Sequence, residues 1–98
     1  MAQYSEKPQE LLEADTLEDV GTQTHLVVYN DDVNTFDWVI ECFMEILEHS
    51  MEQSEQLSLL IHYKGKATVM TAAFEILKPK KDALIERGLS AVIEEFVN

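Results

Sequence analysis

Hydrophobic positions in the first half of the chain predict a strand followed by a helix. Residues 25–29 read His-Leu-Val-Val-Tyr, an apolar and aromatic run bounded by Gly-Thr-Gln-Thr before it and Asn-Asp-Asp after it. Such a run between turn-forming residues is typical of a buried strand. From Phe36 the apolar residues recur at spacings of three and four, which predicts a helix over about residues 35–49 with Asn34 or Thr35 as its N-cap.

The second half of the chain predicts two further helices and two strands. Ser50 begins a capping-box pattern, and Gly65 is a suitable residue to follow the end of that helix. Residues 66–73 read as a strand, a single turn of helix follows, and Pro79 then begins a separate helix. Residues 89–94 form the last strand. The order β-α-α-β-α-β predicts an α+β fold, a small three-stranded antiparallel sheet with the helices packed on one face.

Composition narrows the class of protein. The chain has 98 residues, of which 46% are hydrophobic, enough for one domain with a modest core. Its 19 acidic and 7 basic residues give a net charge of −12, which disfavours nucleic acid and anionic membranes as partners. One cysteine excludes an intrachain disulfide, and no signal-like start or membrane-spanning apolar run is present, so a cytoplasmic location is expected.

Charge is unevenly distributed along the chain. Residues 1–24 are acidic and poor in apolar side chains, and they are expected to form a flexible acidic N-terminal tail before a folded domain over residues 25–98. Three lysines, Lys78, Lys80 and Lys81, cluster in the second half. They are either a solvated surface or a docking face for a partner protein.

The segment Asn30-Asp31-Asp32 and the lone His62 are the candidate binding groups. Carboxylate, carboxamide and imidazole groups all offer acceptor atoms, which an ammonium group with three donors requires. The Asn-Asp-Asp segment has a simpler explanation as well, because these side chains stabilise turns and helix caps by bonding to nearby backbone amides.

The second helix supplies an apolar surface beside these groups. Leu57, Leu60 and Ile61 form its apolar stripe, while Ser58 and His62 lie four residues apart towards its polar side. We therefore expect a shallow pocket with an apolar floor and a polar rim.

Three other functions are alternatives to an amine-binding pocket. A metal site would draw on Asp31, Asp32 and His62, with His25 or His49 in reserve. Those residues lack the close paired spacing of common metal sites. A hydrolase would need Cys42 as nucleophile, yet that residue lies on an apolar helix stripe, where packing is the simpler role. An acidic protein-docking module without a pocket would also suit the net charge.

Three blocks of the sequence resemble the ClpS family of bacterial adaptor proteins. They are residues 26–32 (LVVYNDD), 36–40 (FDWVI) and 61–67 (IHYKGKA), and the likeness extends over about residues 25–96. The resemblance implies an α+β domain that binds the free N-terminus of a substrate with a large hydrophobic first residue (an N-degron). It also implies delivery of that substrate to a Clp AAA+ unfoldase with its ClpP peptidase. Neither a cofactor nor an enzymatic activity is expected.

The resemblance also implies roles for individual residues. Asn30, Asp31 and His62, with Asp32 alongside, would hold the α-amino group. The pocket for the first side chain would be lined by Asn34, Phe36, Val39, Ser58, Ile61 and Leu89. Asn34 stands where the family often has threonine, and Ser58 where it tends to have methionine. The smaller Ser58 would widen the entrance, and the pocket is then expected to accept residues as large as Trp.

The resemblance finally assigns a use to two regions outside the pocket. Lys78, Lys80 and Lys81 become candidates for docking to the unfoldase, and residues 1–24 would engage the unfoldase pore. The segment from Ala67 to Gly88 is shorter than is usual in the family. The resemblance therefore assigns the residues of the docking surface less directly than those of the pocket.

Overall fold

The protein consists of three strands and three helices in the part of the chain that the structure, a computed structural model, describes, residues 23–95. In chain order they are β1 Gln23–Tyr29, α1 Phe36–Ile46, α2 Met51–Lys64, β2 Lys66–Ala73, α3 Phe74–Glu86 and β3 Ser90–Glu95. The predicted order β-α-α-β-α-β and the α+β class are confirmed. Strand β1 begins at Gln23, two residues before the predicted start, and the rest of the predicted tail, residues 1–22, lies outside the described residues.

The sheet has the order β2-β1-β3, and both outer strands run antiparallel to β1. Strand β1 is suited to the central position because it contains three consecutive apolar residues, Leu26, Val27 and Val28. All three are buried in the structure. Tyr29, the last residue of β1, stands opposite Lys66 of β2 and Ser90 of β3. This register brings the loop after β1 next to the two chain segments that enter β2 and β3.

The hydrophobic core lies between the inner face of the sheet and the helices. It includes residues from every element: Leu26, Val28, Cys42, Phe43, Leu47, Ile61, Ala67, Val69, Leu77, Leu84, Leu89 and Ala91. The helices therefore cover one face of the sheet, as predicted. None of the helices in residues 23–95 is long and apolar enough to cross a membrane.

Helix α1 is shorter than its hydrophobic periodicity predicts. The side chain of Thr35 caps its start by accepting from the backbone N–H of Trp38 (3.1 Å). The helix ends at Ile46 instead of residue 49, because Glu48 adopts a left-handed conformation with φ of 61°. This turn brings Ser50 into position as the N-cap of α2.

Helix α2 turns a different face to the core from the one its leucines predict. Its buried residues are Ser54, Ser58 and Ile61, whereas Leu60 is 43% exposed. Leu57 is partly buried and packs against the core. At 100° per residue, the buried arc is centred between Ile61 and Ser58, and Leu60 lies outside it.

Helix α3 is continuous, whereas the sequence predicted a short turn and a separate helix starting at Pro79. The structure has one helix, Phe74–Glu86, with Pro79 inside it. Proline removes one backbone hydrogen bond from a helix interior. Leu77 and Leu84 lie seven residues apart on one face and are both fully buried, and this packing stabilises the helix on both sides of the proline.

Candidate functional site

A backbone hydrogen bond fixes the loop after β1 against the end of α2. The N–H of Asn30 donates to the carbonyl oxygen of Gly65 (2.9 Å). Gly65 ends α2 with φ of 94°, and its own N–H donates to the carbonyl oxygen of Ile61 (2.8 Å). Glycine adopts this left-handed conformation without a steric penalty because it has no Cβ atom. The Asn-Asp-Asp segment thus lies beside the helical turn that carries His62.

The carboxylate of Asp31 organises this loop. Its Oδ1 accepts from the backbone N–H groups of Val33 (2.9 Å) and Asn34 (2.8 Å), and its Oδ2 accepts from Nδ2 of Asn34 (2.9 Å). These bonds, above all that from the Asn34 backbone, lower the pKa of Asp31 below its usual value of 3.8. The turn-forming role considered for this segment is therefore present. Because an ionised carboxylate can accept about four hydrogen bonds, one acceptor position is left for a ligand.

Asn34 connects the same loop to the turn between α3 and β3. Its Nδ2 donates to the carbonyl oxygen of Gly88 (2.8 Å) as well as to Asp31. Nearby, the indole Nε1 of Trp38 donates to the carbonyl oxygen of Arg87 (3.1 Å). Since both amide protons of Asn34 are used within the protein, its main role here is to position Asp31.

A cavity of about 300 Å³ lies between this loop, the start of α1 and the last turns of α2. It is lined by nine of the ten residues predicted for the pocket: Asn30, Asp31, Asp32, Asn34, Phe36, Val39, Ser58, Ile61 and His62. The tenth, Leu89, lines an adjoining cavity of about 30 Å³ that shares Asn30, Asp31, Asn34, Val39 and Ile61 with the larger one. The structure thus places the acceptors from the loop and the imidazole from α2 around one space.

The cavity has a polar mouth, and its wall combines polar side chains with the apolar Phe36, Val39 and Ile61. His62 is exposed and makes no hydrogen bond with another described residue; its ring meets that of Tyr63 edge to face, with centroids 5.0 Å apart. The preceding residue, Ile61, and Ser58, one turn of helix earlier, are buried. An ammonium group can be held at the mouth, and an apolar side chain can enter the interior.

The residues considered for a metal site or a nucleophile have other surroundings in the structure. No group of three or more His, Cys, Asp or Glu residues between 23 and 95 is arranged to hold a metal ion. His49 Nε2 donates to the carbonyl oxygen of Val69 (2.8 Å), and His25 shares a hydrogen bond with Thr71 (2.9 Å). Cys42 is fully buried, and burial raises the pKa of its thiol, which suppresses the reactive thiolate.

The three candidate docking lysines lie on α3, outside the cavity. Lys78 and Lys81 both pair with Asp82, at 2.6 and 3.1 Å, and Lys80 Nζ lies 3.5 Å from the carbonyl oxygen of Ile46. Their charge is therefore partly compensated within the protein.

Sequence reasoning missed a second, larger groove between α1 and α2. It encloses about 440 Å³, and its lining comprises Phe36, Ile40, Met44 and Met51 with Asp37, Glu41, Glu45 and Glu55. Phe36 lines both this groove and the smaller cavity. The available signal was the row of acidic residues at four-residue spacing on α1, which by itself is typical of any solvated helix face.

Comparison with known proteins matches the chain to one family. The family described as ATP-dependent Clp protease adaptor protein ClpS matches residues 21–91. The ClpS adapter protein of Neisseria meningitidis serogroup A is 30% identical over 94 residues, covering 85% of this chain and 91% of its own length. That of Campylobacter jejuni strain RM1221 is 37% identical over 76 residues, covering 71% and 79%.

A solved structure shares the fold. Agrobacterium tumefaciens ClpS2 bound to L-phenylalaninamide superposes with a TM-score of 0.71 at 20% sequence identity, covering 76% of this chain and 98% of that one. At that identity the likeness concerns the fold, and the family is established by the sequence matches. The chain belongs to the ClpS family of adaptor proteins of the ATP-dependent Clp protease.

Proposed function

We propose that this protein binds the free N-terminus of proteins with a large hydrophobic first residue and delivers them to a Clp AAA+ unfoldase with its ClpP peptidase. The observation that carries the proposal is one cavity with the acceptors Asn30, Asp31 and His62 at its mouth and the apolar Val39 and Ile61 in its wall. The related ClpS2 from Agrobacterium tumefaciens binds L-phenylalaninamide, which has a free amino group and an aromatic side chain. The capture of an N-terminal amine is an established mode of peptide recognition.

The contacts available in the cavity suffice for a useful affinity. Burying one Phe or Leu side chain contributes about 1.5–3 kcal/mol, and a hydrogen bond to a charged group contributes about 1.5–3 kcal/mol. Three such bonds and one buried side chain supply about 6–12 kcal/mol against the cost of ordering a short peptide, and a micromolar dissociation constant corresponds to about 8 kcal/mol.

The same contacts give specificity for a free terminus. An ammonium group donates three hydrogen bonds and carries a charge that Asp31 can balance. An acetylated terminus has no charge and a single donor, so the acceptors at the mouth stay unpaired.

A peptide titration with matched controls tests the proposal. A peptide beginning with Phe or Leu and a free amine is expected to bind near the micromolar range without added metal and to emerge uncleaved. Its acetylated twin is expected to bind at least about tenfold more weakly. His62→Ala should weaken binding of the free-amine peptide at unchanged stability, because His62 is exposed and makes no hydrogen bond with a described residue. Equal affinity for the free and acetylated peptides would rule the proposal out.

Delivery is expected to depend on surfaces that peptide binding does not use. Replacing Lys78, Lys80 and Lys81 together by Glu should leave peptide affinity within about twofold, since none of them lines the cavity. The same variant should slow the degradation of a Phe-first reporter by the unfoldase and peptidase, because the docking face loses its positive charge. Removal of residues 1–22 should likewise spare peptide binding and abolish delivery. A degradation rate unchanged in either variant would remove that region from the delivery mechanism.

A second candidate function rests on the larger groove. Its apolar lining with Asp37, Glu41, Glu45 and Glu55 suits docking of a basic, partly apolar protein segment, although Glu45 is already paired with Arg87 at 2.6 Å. His62→Ala separates the two functions, because it should weaken peptide capture and leave docking in the groove unchanged. A Met51→Glu variant should weaken docking in the groove and leave peptide capture unchanged.

A further inference from the structure

Ser58 lines the candidate cavity and carries a hydroxyl group without a hydrogen bond. The residue is only 4% exposed, and its Oγ makes no hydrogen bond to any residue in the described part of the chain. A buried hydroxyl without a partner is costly, and native proteins contain few of them. Less than 1 Å² of Oγ is accessible, although Ser58 lines the cavity, so a rotation about χ1 brings the hydroxyl to the cavity, where a ligand can satisfy it.

The position of Ser58 relates it to the far end of a bound side chain. Ser58 and His62 lie four residues apart on the same face of α2, about one helical turn or 5.4 Å along the axis. His62 is exposed at the mouth and Ser58 is buried, so the interior extends from the one towards the other. A first residue whose amino group lies between Asp31 and His62 would point its side chain towards Ser58, and an aromatic side chain spans about that distance.

Ser54 provides an internal comparison. It lies one turn before Ser58 on the buried face of α2, is fully buried, and also has a hydroxyl without a partner. Ser54 does not line the cavity. The two serines therefore share a buried hydroxyl without a partner, and they differ in that Ser58 lines the cavity and Ser54 does not.

Building on the proposed function, we propose that the Ser58 hydroxyl reads the polar end of the first side chain. The pocket then favours a first residue that combines an aromatic ring with a hydrogen-bonding group, the phenol of Tyr or the indole N–H of Trp, over the purely apolar Phe. The pair Tyr and Phe isolates the effect, because they have the same ring and differ by one hydroxyl. The Tyr hydroxyl loses its water on entering the cavity and regains a partner in Ser58, whereas Phe leaves Ser58 unpaired.

A size effect makes a different prediction. If Ser58 matters only because it is small, Ala at this position serves equally well, since it leaves the same room. Ser58→Ala therefore separates hydrogen bonding from space. The substitution should not harm folding, because alanine favours the helix and removes an unpaired buried hydroxyl.

The experiment compares peptides that are identical except for a Tyr or Phe first residue, titrated into the full chain and into Ser58→Ala and Ser54→Ala variants. In the unmodified protein, the Tyr peptide should bind about two- to tenfold more tightly than the Phe peptide, the range expected of one neutral hydrogen bond. Ser58→Ala should abolish that preference, so that the two peptides bind within about twofold of each other. Ser54→Ala should retain the preference.

Each other outcome has a distinct meaning. Equal affinities for the two peptides in the unmodified protein, or an undiminished Tyr preference in Ser58→Ala, would overturn the role of Ser58 and leave the proposed function standing, because the Phe peptide still binds. Binding of neither peptide would overturn both proposals.

Discussion

Replacement of Asp31 by Asn is expected to weaken binding of a Phe-first peptide about 10- to 100-fold, the loss associated with one hydrogen bond to a charged group. The change removes the negative charge that balances the ammonium group. The bonds from the backbone N–H groups of Val33 and Asn34 can persist, since Oδ1 of the new side chain also accepts. The bond from Nδ2 of Asn34 is lost if the new amide directs its own donor towards it. Isothermal calorimetry of the variant with free-amine and acetylated peptides measures the effect.

The matched control is Asp32→Asn, which removes the same charge one residue along the loop. Asp32 is exposed and lines the cavity, and it makes no hydrogen bond with another described residue. We therefore expect a much smaller loss, within about threefold, because an exposed charge is screened by water and salt. Equal losses in the two variants would show that general negative charge, and not the carboxylate of Asp31, attracts the peptide.

The depressed pKa of Asp31 sets the conditions for this comparison. Because hydrogen bonds hold its pKa below 3.8 in the folded protein, the carboxylate is ionised throughout the neutral range. Its contribution to stability is present above pH 3.8 and is lost as the pH falls through the lower, folded-state value. Titrations near pH 7 therefore examine a charged Asp31.

Phe43→Ala is expected to lower the free energy of unfolding by about 3–5 kcal/mol, the range for removing a large buried aromatic side chain. Phe43 is fully buried in the core between α1 and the sheet. A domain of this length has a total stability of only about 5–15 kcal/mol, so the variant is expected to be largely destabilised at 37 °C. Urea denaturation followed by circular dichroism measures the change.

Phe36 offers a control of the same residue type on the same helix. It lies seven residues earlier, is 39% exposed and lines the candidate cavity. Phe36→Ala should cost less than about 1 kcal/mol of stability, yet weaken a Phe-first peptide about three- to tenfold by removing part of the cavity wall. If Phe36→Ala were the more destabilising of the two, or left peptide affinity unchanged, the placement of Phe43 in the core and of Phe36 in the cavity wall would be wrong.

The elements themselves could be predicted because their signals are local. A run of apolar residues before Asn30 and the capping residues Thr35 and Ser50 each depend on a few neighbouring positions. The errors arose where distant packing overrides a local rule. Leu77 and Leu84 keep α3 continuous across Pro79, and a left-handed Glu48 ends α1 early.

The sequence could predict which residues form the candidate site, but only part of how they are arranged. The resemblance of the blocks around Asp31 and His62 named the residues, and the structure places nine of the ten around one cavity. The link from Asn34 to Gly88 spans 54 residues of sequence and has no local signal. The burial of Ser58 depends on which arc of α2 faces the core, and the leucines of that helix indicated a different arc.

Whether the peptide binds in the cavity beside Asp31 and His62 is tested most directly by ¹⁵N-edited NMR during titration with a free-amine Phe-first peptide. The largest amide shift changes are expected on residues 30–34 and 58–62, the loop and the helical turn that enclose the cavity. Shift changes confined to the lysines of α3, or to the groove around Met51 and Glu55, with residues 30–34 and 58–62 unchanged, would contradict binding in the cavity.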